Sequence, residues 1–280
     1  GALGAASQPD RCYALRATDA PESLPRQDAV VIALKAYSIA AMLPRLRGLL
    51  DEHTALIPAI NGIPWWYFAR HGGPFDGMRI ACLDPDGVMQ RAIDARHIVG
   101  CVVHTAAEVI EPGVVLHTSG KLHFLGELDG RDSPRLAQIA GAINEGGLEA
   151  KCSSNIRNDV WMKLIGNLSY NPIATLTLAR MNEINDNAAL VDLIRGLMRE
   201  AMAVAERYGQ PITMSIDERL VLARAIGSSK TSMHQDLERG RPMEIDAITG
   251  AVVELARRVQ VATPLLDAVH ALVAERARHT

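Results

Sequence analysis

Three polar side chains share one face of a predicted helix that is otherwise apolar. Lys163, Asn167 and Asn171 are spaced four residues apart, so they form one stripe at about 100° per residue. The other faces of the helix carry Val160, Trp161, Leu164, Ile165 and Leu168. Because an unpaired buried polar group costs about 1–3 kcal/mol, the stripe needs polar partners. A bound polar molecule is a natural partner, since an ammonium group and two amides can hold its oxygen atoms.

A second polar segment lies between Ser232 and Asp246. Glu244 follows Pro242 by two residues, and proline often opens a helix. We therefore expect Glu244 in a first helical turn, where a carboxylate also interacts favourably with the helix macrodipole. Ser232 comes just after Thr231, and a hydroxyl there could cap a helix. Capping and the macrodipole are thus the structural alternatives to a chemical role for Ser232 and Glu244.

The elements that must position these residues differ between the two halves of the chain. In the first half, short apolar runs alternate with helical ones, which predicts an α/β domain around a mostly parallel sheet. The predicted strands are 28–34, 54–60, 79–83, 100–104 and 149–152, with a hairpin of 114–117 and 122–125 and helices at 41–50 and 134–144. From Ser153 onward only helical periodicity recurs, over 157–170, 187–208, 216–226, 243–258 and 264–278. We place the domain boundary at Ser153-Ser154, with domains 1–153 and 154–280.

Two further polar residues follow predicted strands. Lys35 comes after the first strand, and Asn61-Gly62 ends the second. Ligands of α/β folds bind at the carboxyl edge of the sheet, so both positions suit a binding site. A lysine at a strand end and a simple Asn-Gly turn are the structural alternatives.

Composition narrows the class of protein. The chain has 280 residues, is 48% hydrophobic and 22% charged, and has a net charge of −3, without a basic block that would indicate nucleic acid. No apolar run approaches the roughly 20 residues that cross a bilayer, and the start does not resemble a secretory signal. Its four cysteines have no C-x-x-C spacing, so we expect them to be reduced and buried in a cytoplasmic protein. The nine histidines lack metal-ligand spacing, so no metal site is predicted.

The two polar segments, in this order, resemble the ketopantoate reductase (2-dehydropantoate 2-reductase) family. The matching positions are Lys35-Ala36, Asn61-Gly62, Gly100, His104-Thr105-Ala106, Trp161, Lys163, Asn167, Asn171-Pro172, Ser232-Met233, Gln235-Asp236, Arg241, Glu244, Asp246 and Gly250. The resemblance covers the chain from residue 12 onward. It implies a Rossmann-like dinucleotide-binding domain followed by an all-helical domain of the 6-phosphogluconate dehydrogenase C-terminal type.

The resemblance also implies a reaction and a role for each residue. The reaction is the NADPH-dependent reduction of a 2-keto acid, with ketopantoate and pantothenate biosynthesis as the leading case. Lys163 and Glu244 are the implied catalytic residues, with Lys163 as proton donor. The implied substrate contacts are Asn61, Asn167, Asn171 and Ser232, and the implied cofactor contacts are Lys35, Asn61, Ala106 and Glu244. The implied partner is a small-molecule substrate. The oligomeric state stays open, because the apolar residues of 187–208 can pack within their own domain or against a second subunit in a homodimer.

Several of these residues have structural alternatives. Lys163 could be a lysine that extends its ammonium group to solvent at a helix surface. Asn167 could bond a neighbouring helix, and Asn171 could be the turn residue before Pro172. We expect Lys163 to have a lowered pKa because of burial, with the carboxylate of Glu244 keeping it protonated.

One departure from the family concerns the start of the chain. The family opens with a strand, a G-x-G-x-x-G turn and a helix that hold the cofactor pyrophosphate, and no such turn occurs in the 280 residues. We therefore expect that a first β-α-β portion is missing, and that these residues alone bind NADPH weakly. Two other functions stay open: a D-2-hydroxyacid dehydrogenase that uses NADH, and a binding protein without a complete cofactor site.

Overall fold

The computed structural model describes residues 12–279, and its first half is an α/β domain. The strands are β1 (Ala29–Ile32), β2 (Ala55–Pro58), β3 (Val99–Glu111), β4 (Val114–Glu127) and β5 (Glu149–Cys152), and the helices are α1 (Ile39–Leu46), α2 (Val88–Ala92) and α3 (Pro134–Glu145). β1 and β2 are parallel, and a parallel bridge between Leu56 and Ile98 connects β2 to the start of β3. β4 pairs antiparallel with β3 and parallel with β5.

The second half is helical, as the sequence predicts. Its helices are α4 (Ile156–Thr177), α5 (Met181–Asp186), α6 (Ala188–Arg207), α7 (Ile216–Ala225), α8 (Ser232–Glu238), a π-helical turn (Asp246–Gly250) that leads into α9 (Ala251–Arg258), and α10 (Pro264–Arg278). The predicted fold class, an α/β domain followed by an all-helical domain, is confirmed. The short helices α5 and α8 are additions to the prediction.

Helix α4 joins the two halves. Asn155 caps it by accepting a hydrogen bond from the backbone N–H of Asn158. The buried guanidinium of Arg157 donates to the backbone carbonyls of three residues in the first half, Tyr67, Ala69 and Leu128. Trp161 is fully buried and donates from its indole nitrogen to the Tyr67 hydroxyl over 2.7 Å. The polar stripe of α4 is therefore held in a fixed position relative to the sheet.

One predicted strand and one predicted hairpin are wrong. Residues 79–83 form turns because the carboxylate of Glu254 accepts hydrogen bonds from the Ala81 and Cys82 amides, each over 2.9 Å. Residues 114–127 form one continuous strand instead of a hairpin. The reversal lies between β3 and β4, and Gly120, with φ of +68°, lies beside an irregular pairing near Ala106.

Two expectations about the surface have different outcomes. All four cysteines are free thiols, but Cys12 and Cys152 are exposed, so the expectation that all are buried is wrong. Both lie on segments whose side chains reach solvent, the chain before β1 and the edge strand β5. Over residues 12–279, no helix combines the length and apolar character of a membrane span. The apolar side of α6 packs against α4 within one subunit, so the homodimer stays a prediction.

Candidate active site

Four of the predicted residues meet where the sheet contacts the helical half. Lys35 follows β1, and Asn61 follows β2, so both stand at the carboxyl edge of these parallel strands. Lys163 reaches the same point from α4, and Glu244 reaches it from the segment before the π-helical turn. The folding of both halves is therefore needed to assemble the cluster.

Asn61 connects the other members of this cluster. Its Oδ1 accepts a hydrogen bond from Lys163 Nζ at 2.6 Å, and its Nδ2 donates to Glu244 Oε2 at 3.3 Å. These contacts fix the orientation of the amide, because one side faces a donor and the other an acceptor. Lys163 and Glu244 are consequently linked through Asn61 and form no direct ion pair.

Glu244 is buried and has two further donors. Lys35 Nζ lies 3.3 Å from Glu244 Oε2, and the backbone N–H of Ala36 donates to Oε1 over 3.3 Å. Lys35 Nζ also makes a 2.5 Å ion pair with Asp236. Glu244 precedes the π-helical turn and does not lie inside it, so the expected place in a first helical turn is wrong. Its contacts with three residues of the first half keep the carboxylate in the cleft.

The loop that carries Asn61 depends on a glycine. Gly62 has a φ of +78°, which favours glycine, and the next residue, Ile63, donates its N–H to the Ala247 carbonyl over 2.8 Å. A Cβ on Gly62 would lie 2.5 Å from the Ala247 carbonyl carbon. The backbone of the loop therefore packs directly on the segment that follows Glu244, and this contact sets the distance between Asn61 and Glu244.

We expect the Gly62→Ala substitution to destabilise the protein, because it adds both backbone strain and a collision with the backbone of Ala247. The matched control is Gly77→Ala, since Gly77 also has a positive φ, of +70°, but open space around its missing Cβ. Urea unfolding should show a loss of free energy of unfolding at least about 1 kcal/mol larger for Gly62→Ala than for Gly77→Ala. Equal losses would show that the Ala247 contact is unimportant.

The electrostatics of the two lysines differ. Burial lowers the pKa of Lys163 to about 8, although Cys101 and the negative charge of Glu244 act in the opposite direction. For Lys35, burial also lowers the pKa, but the hydrogen bond to Asp236 and the charge of Glu244 outweigh it, so that the pKa is raised. Lys35 is thus a permanent cation, whereas Lys163 can exchange a proton near neutral pH.

The other predicted site residues, Asn167, Asn171, Ser232 and Ala106, make no hydrogen bond to this cluster. Asn167 lies one turn beyond Lys163 on α4, and over residues 12–279 its side chain has no hydrogen bond. Asn171 is buried, and its Nδ2 also lacks a partner. α4 continues through Pro172 to Thr177, so Asn171 is not a turn residue. The two amides have free donors or acceptors for a ligand.

Ser232 and Ala106 are both exposed. Ser232 is the first residue of α8, and the neighbouring Thr231 caps this helix by accepting from His234 N. Ser232 is therefore not the cap, which leaves its hydroxyl free. Ala106 lies in β3, and its carbonyl accepts a hydrogen bond from the Thr118 hydroxyl. The predicted contacts of Ser232 with substrate and of Ala106 with the cofactor therefore stay predictions.

Three residues around the cluster were not among the predicted site residues, although His104 was one of the positions that match the family. Cys101 is buried close enough for the charge of Lys163 to act on its pKa, which burial raises to about 12. Loss of hydration and the charges of Lys163 and Arg219 lower the pKa of His104 to about 4. Arg219 belongs to α7, where its neighbours Asp217 and Glu218 give the sequence the look of a solvated helix.

A cavity of about 240 Å³ opens beside Glu244. Most of the residues that line it are apolar. The lining consists of Ala36, Tyr37, Ile60, Ile63, Trp65, Cys82, Leu83, Met89, Pro242, Met243, Glu244, Asp246 and Ala247. Mostly apolar walls with two carboxylate residues, Glu244 and Asp246, at the carboxyl edge of a parallel sheet suit a planar ring attached to a sugar. Together with the exchangeable proton of Lys163, the cleft can bind such a group and donate a proton beside it.

Comparison with family models gives two matches. Residues 6–130 match the model described as ketopantoate reductase PanE/ApbA, and residues 155–277 match the model of the C-terminal part of the same enzyme. The two matches together cover most of the chain. The residues between them, 131–154, connect β4 to α4.

Individual relatives agree with these matches. The chain is 44% identical over 259 residues to a 2-dehydropantoate 2-reductase of Mesorhizobium japonicum, which covers 92% of this chain and 79% of the relative. A crystal structure of a candidate ketopantoate reductase from Ralstonia solanacearum MolK2 has a TM-score of 0.90 at 39% identity, over 95% of this chain and 81% of the other. The structure of D-mandelate dehydrogenase with NADH and anilino(oxo)acetate has a TM-score of 0.76 at 21% identity. The match covers 92% of this chain and 79% of the other, and it shows a shared fold.

Proposed function

The chain belongs to the ketopantoate reductase family of oxidoreductases, and from this we propose that it reduces the carbonyl group of a 2-keto acid to a hydroxyl group. Ketopantoate is the leading candidate substrate. The observation that carries the proposal is the hydrogen-bonded connection of Lys163, Asn61 and Glu244 between the two halves. It connects a titratable ammonium group, through Asn61, to Glu244, which lines a cavity at the carboxyl edge of β1 and β2.

We propose a nicotinamide cofactor, NADPH, with its nicotinamide half at this edge. Lys35, Asn61, Ala106 and Glu244 are the residues that would hold it, and the apolar cavity beside Glu244 fits a planar ring with a ribose. When bound, NADPH supplies the hydride for the carbonyl carbon. Glu244 is suited to a ribose hydroxyl, because its bonds to Lys35, Asn61 and Ala36 are all 3.3 Å long and a closer donor can replace one of them.

Lys163 is the proposed proton donor to the carbonyl oxygen. Its ammonium group carries three protons, and one of them is directed to Asn61 Oδ1 over 2.6 Å. The remaining donors are available to a substrate oxygen in the cleft. Asn61 positions the ammonium group, and Glu244 favours its charged form, so the two residues keep Lys163 ready to give up a proton.

Asn167, Asn171 and Ser232 are the proposed substrate contacts. Asn171 Nδ2 is buried without an acceptor, which costs free energy unless a ligand supplies one. The hydroxyl of Ser232 and the amide of Asn167 have no side-chain partner among residues 12–279. Oxygen atoms of a keto acid are suitable acceptors for these groups.

The proposal is tested by following NADPH consumption by the full-length gene product with a panel of 2-keto acids. Ketopantoate and other branched 2-keto acids should be reduced, and NADH should be compared in parallel. Absence of turnover with every 2-keto acid and both cofactors would contradict the proposed reaction. Faster turnover with NADH would favour a D-2-hydroxyacid dehydrogenase.

The pH dependence of the reaction should follow Lys163. Because its pKa is lowered to about 8, the group is protonated below that pH and loses its proton above it. For carbonyl reduction, kcat/KM should be level below pH 8 and then fall about tenfold per pH unit, since only the protonated form can act as the acid. The reverse oxidation should rise through the same pKa. A reduction profile that stays level up to about pH 10 would contradict the assignment.

A further inference from the structure

Arg219 is a second cation at the helix that carries Lys163. It projects from α7 onto α4, where its guanidinium packs against Gly166. An ideal Cβ on Gly166 would be 2.7 Å from Arg219 Cζ and 2.8 Å from Nε. Gly166 thus leaves the space that the guanidinium occupies, and every other residue type at position 166 would displace it.

No acceptor in residues 12–279 pairs with this guanidinium. Arg219 makes no side-chain hydrogen bond or ion pair, whereas the buried Arg157 donates to three carbonyls and Arg135 pairs with Glu127. Its side chain is half-buried, yet none of its nitrogens is fully enclosed, so a ligand can still reach them. A partly desolvated cation without a counter-charge destabilises a fold, and an anionic ligand would compensate for it.

Arg219 packs on the face of α4 that carries Lys163. Lys163, Gly166 and Tyr170 are spaced i, i+3 and i+7, so they share one face of α4, and the guanidinium over Gly166 lies one turn from Lys163. His104, near the end of the buried part of β3, is affected by the positive charges of both Lys163 and Arg219. The hydroxyl of Tyr170, on the same face of α4, donates its proton to Asn185 Oδ1.

We propose that Arg219 binds the carboxylate of the substrate. The inference rests on the proposed function and deepens it, because it makes a carboxylate next to the carbonyl group a requirement for good substrates. The planar guanidinium can hold a carboxylate through two parallel hydrogen bonds. The keto group beside that carboxylate would then lie between Arg219 and Lys163, along the face of α4 that Lys163 and Gly166 share.

The surroundings of Arg219 hold its side chain in place. A small cavity beside it is lined by apolar side chains from three directions, among them Met162, Met198 and Met214. The apolar wall leaves Arg219 without alternative acceptors, and Gly166 provides a flat surface on the other side. The guanidinium is therefore ordered before a ligand arrives, which reduces the entropy lost on binding.

The test compares a carboxylate with its neutral counterpart. Oxamate resembles a 2-keto acid, and oxamide has the same shape without the charge. Binding of each to the full-length protein is measured by calorimetry for the wild type, Arg219→Met and Gly166→Ala. Arg224→Met is the matched control, because Arg224 is an exposed arginine of the same helix.

We expect oxamate to bind about 10- to 100-fold more weakly to Arg219→Met and Gly166→Ala, with oxamide unchanged. Arg224→Met should bind both like the wild type. In kinetics with a 2-keto acid, Arg219→Met should mainly raise KM, and Arg219→Lys should recover part of the loss. Near-normal circular dichroism of both variants would separate this effect from unfolding.

Two results would overturn the inference: equal binding of oxamate and oxamide by the wild type, or oxamate affinity that does not depend on Arg219. Failure of the proposed function is a different result, since it appears as absence of 2-keto acid reduction by the wild type. Oxamate binding that depends on Arg219 in a protein without reductase activity would keep the carboxylate site and remove the reaction.

Discussion

Lys163→Met should lose about 10²- to 10⁴-fold in kcat for 2-keto acid reduction, the usual contribution of a general acid. Methionine keeps an unbranched apolar side chain of nearly the same length but has no proton to donate. Because burial opposes the charge of Lys163, its removal should leave the protein folded. Steady-state kinetics on the full-length gene product measure the loss.

Two comparisons make this prediction specific. Lys151→Met removes an exposed lysine of β5 and should leave kcat unchanged. Lys163→Met should also remove the decline of kcat/KM above pH 8 that the wild type shows. A kcat within about threefold of the wild type would reject Lys163 as the acid, because a general acid contributes far more.

Arg157→Leu should lower the free energy of unfolding by about 3 kcal/mol or more, because it leaves buried carbonyl groups without a donor. Arg157 donates to Tyr67, Leu128 and Ala69 over 2.6, 2.6 and 2.7 Å. No water can reach the buried arginine easily to replace these bonds, since the residue is 8% exposed. Urea unfolding followed by circular dichroism measures the change.

The control is Arg131→Leu, which removes a largely exposed arginine that pairs with Asp129. A surface ion pair contributes about 0–1 kcal/mol, so this variant should resemble the wild type. Arg157→Lys should be intermediate, because one ammonium group cannot span the three carbonyls that a guanidinium reaches. A loss below about 1 kcal/mol for Arg157→Leu would show that the carbonyls find other donors.

The sequence predicted those parts of the fold that depend on local patterns. The periodicity of residues 157–170 identified α4, and Pro134 with Gly146-Gly147 marked the two ends of α3. Prediction from the sequence failed where a residue distant in the chain determines the backbone structure. Residues 79–83 have the composition of a strand, but the carboxylate of Glu254, more than 170 positions away, holds their amides in a turn.

The candidate site shows the same division. The sequence alone selected Lys163, Asn167 and Asn171 from their spacing, and the resemblance selected Lys35, Asn61 and Glu244. Their spacing could not show that Asn61 stands between Lys163 and Glu244, because the three residues come from separate elements. Similarly, the charge of Glu244 favours protonated Lys163, as expected, but only the structure shows that the ion pair of Glu244 is with Lys35.

Sequence by itself determined the fold class, the family and the residue types available for chemistry, since these follow from local periodicity and short motifs. Tertiary structure alone decided which polar groups are paired and which are left free. Arg219 illustrates the difference: its helix carries ordinary surface charges, and only the packing of α7 on Gly166 shows a guanidinium without an acceptor. The physical reason is that burial and charge pairing depend on neighbours far apart in the chain, which no local pattern records.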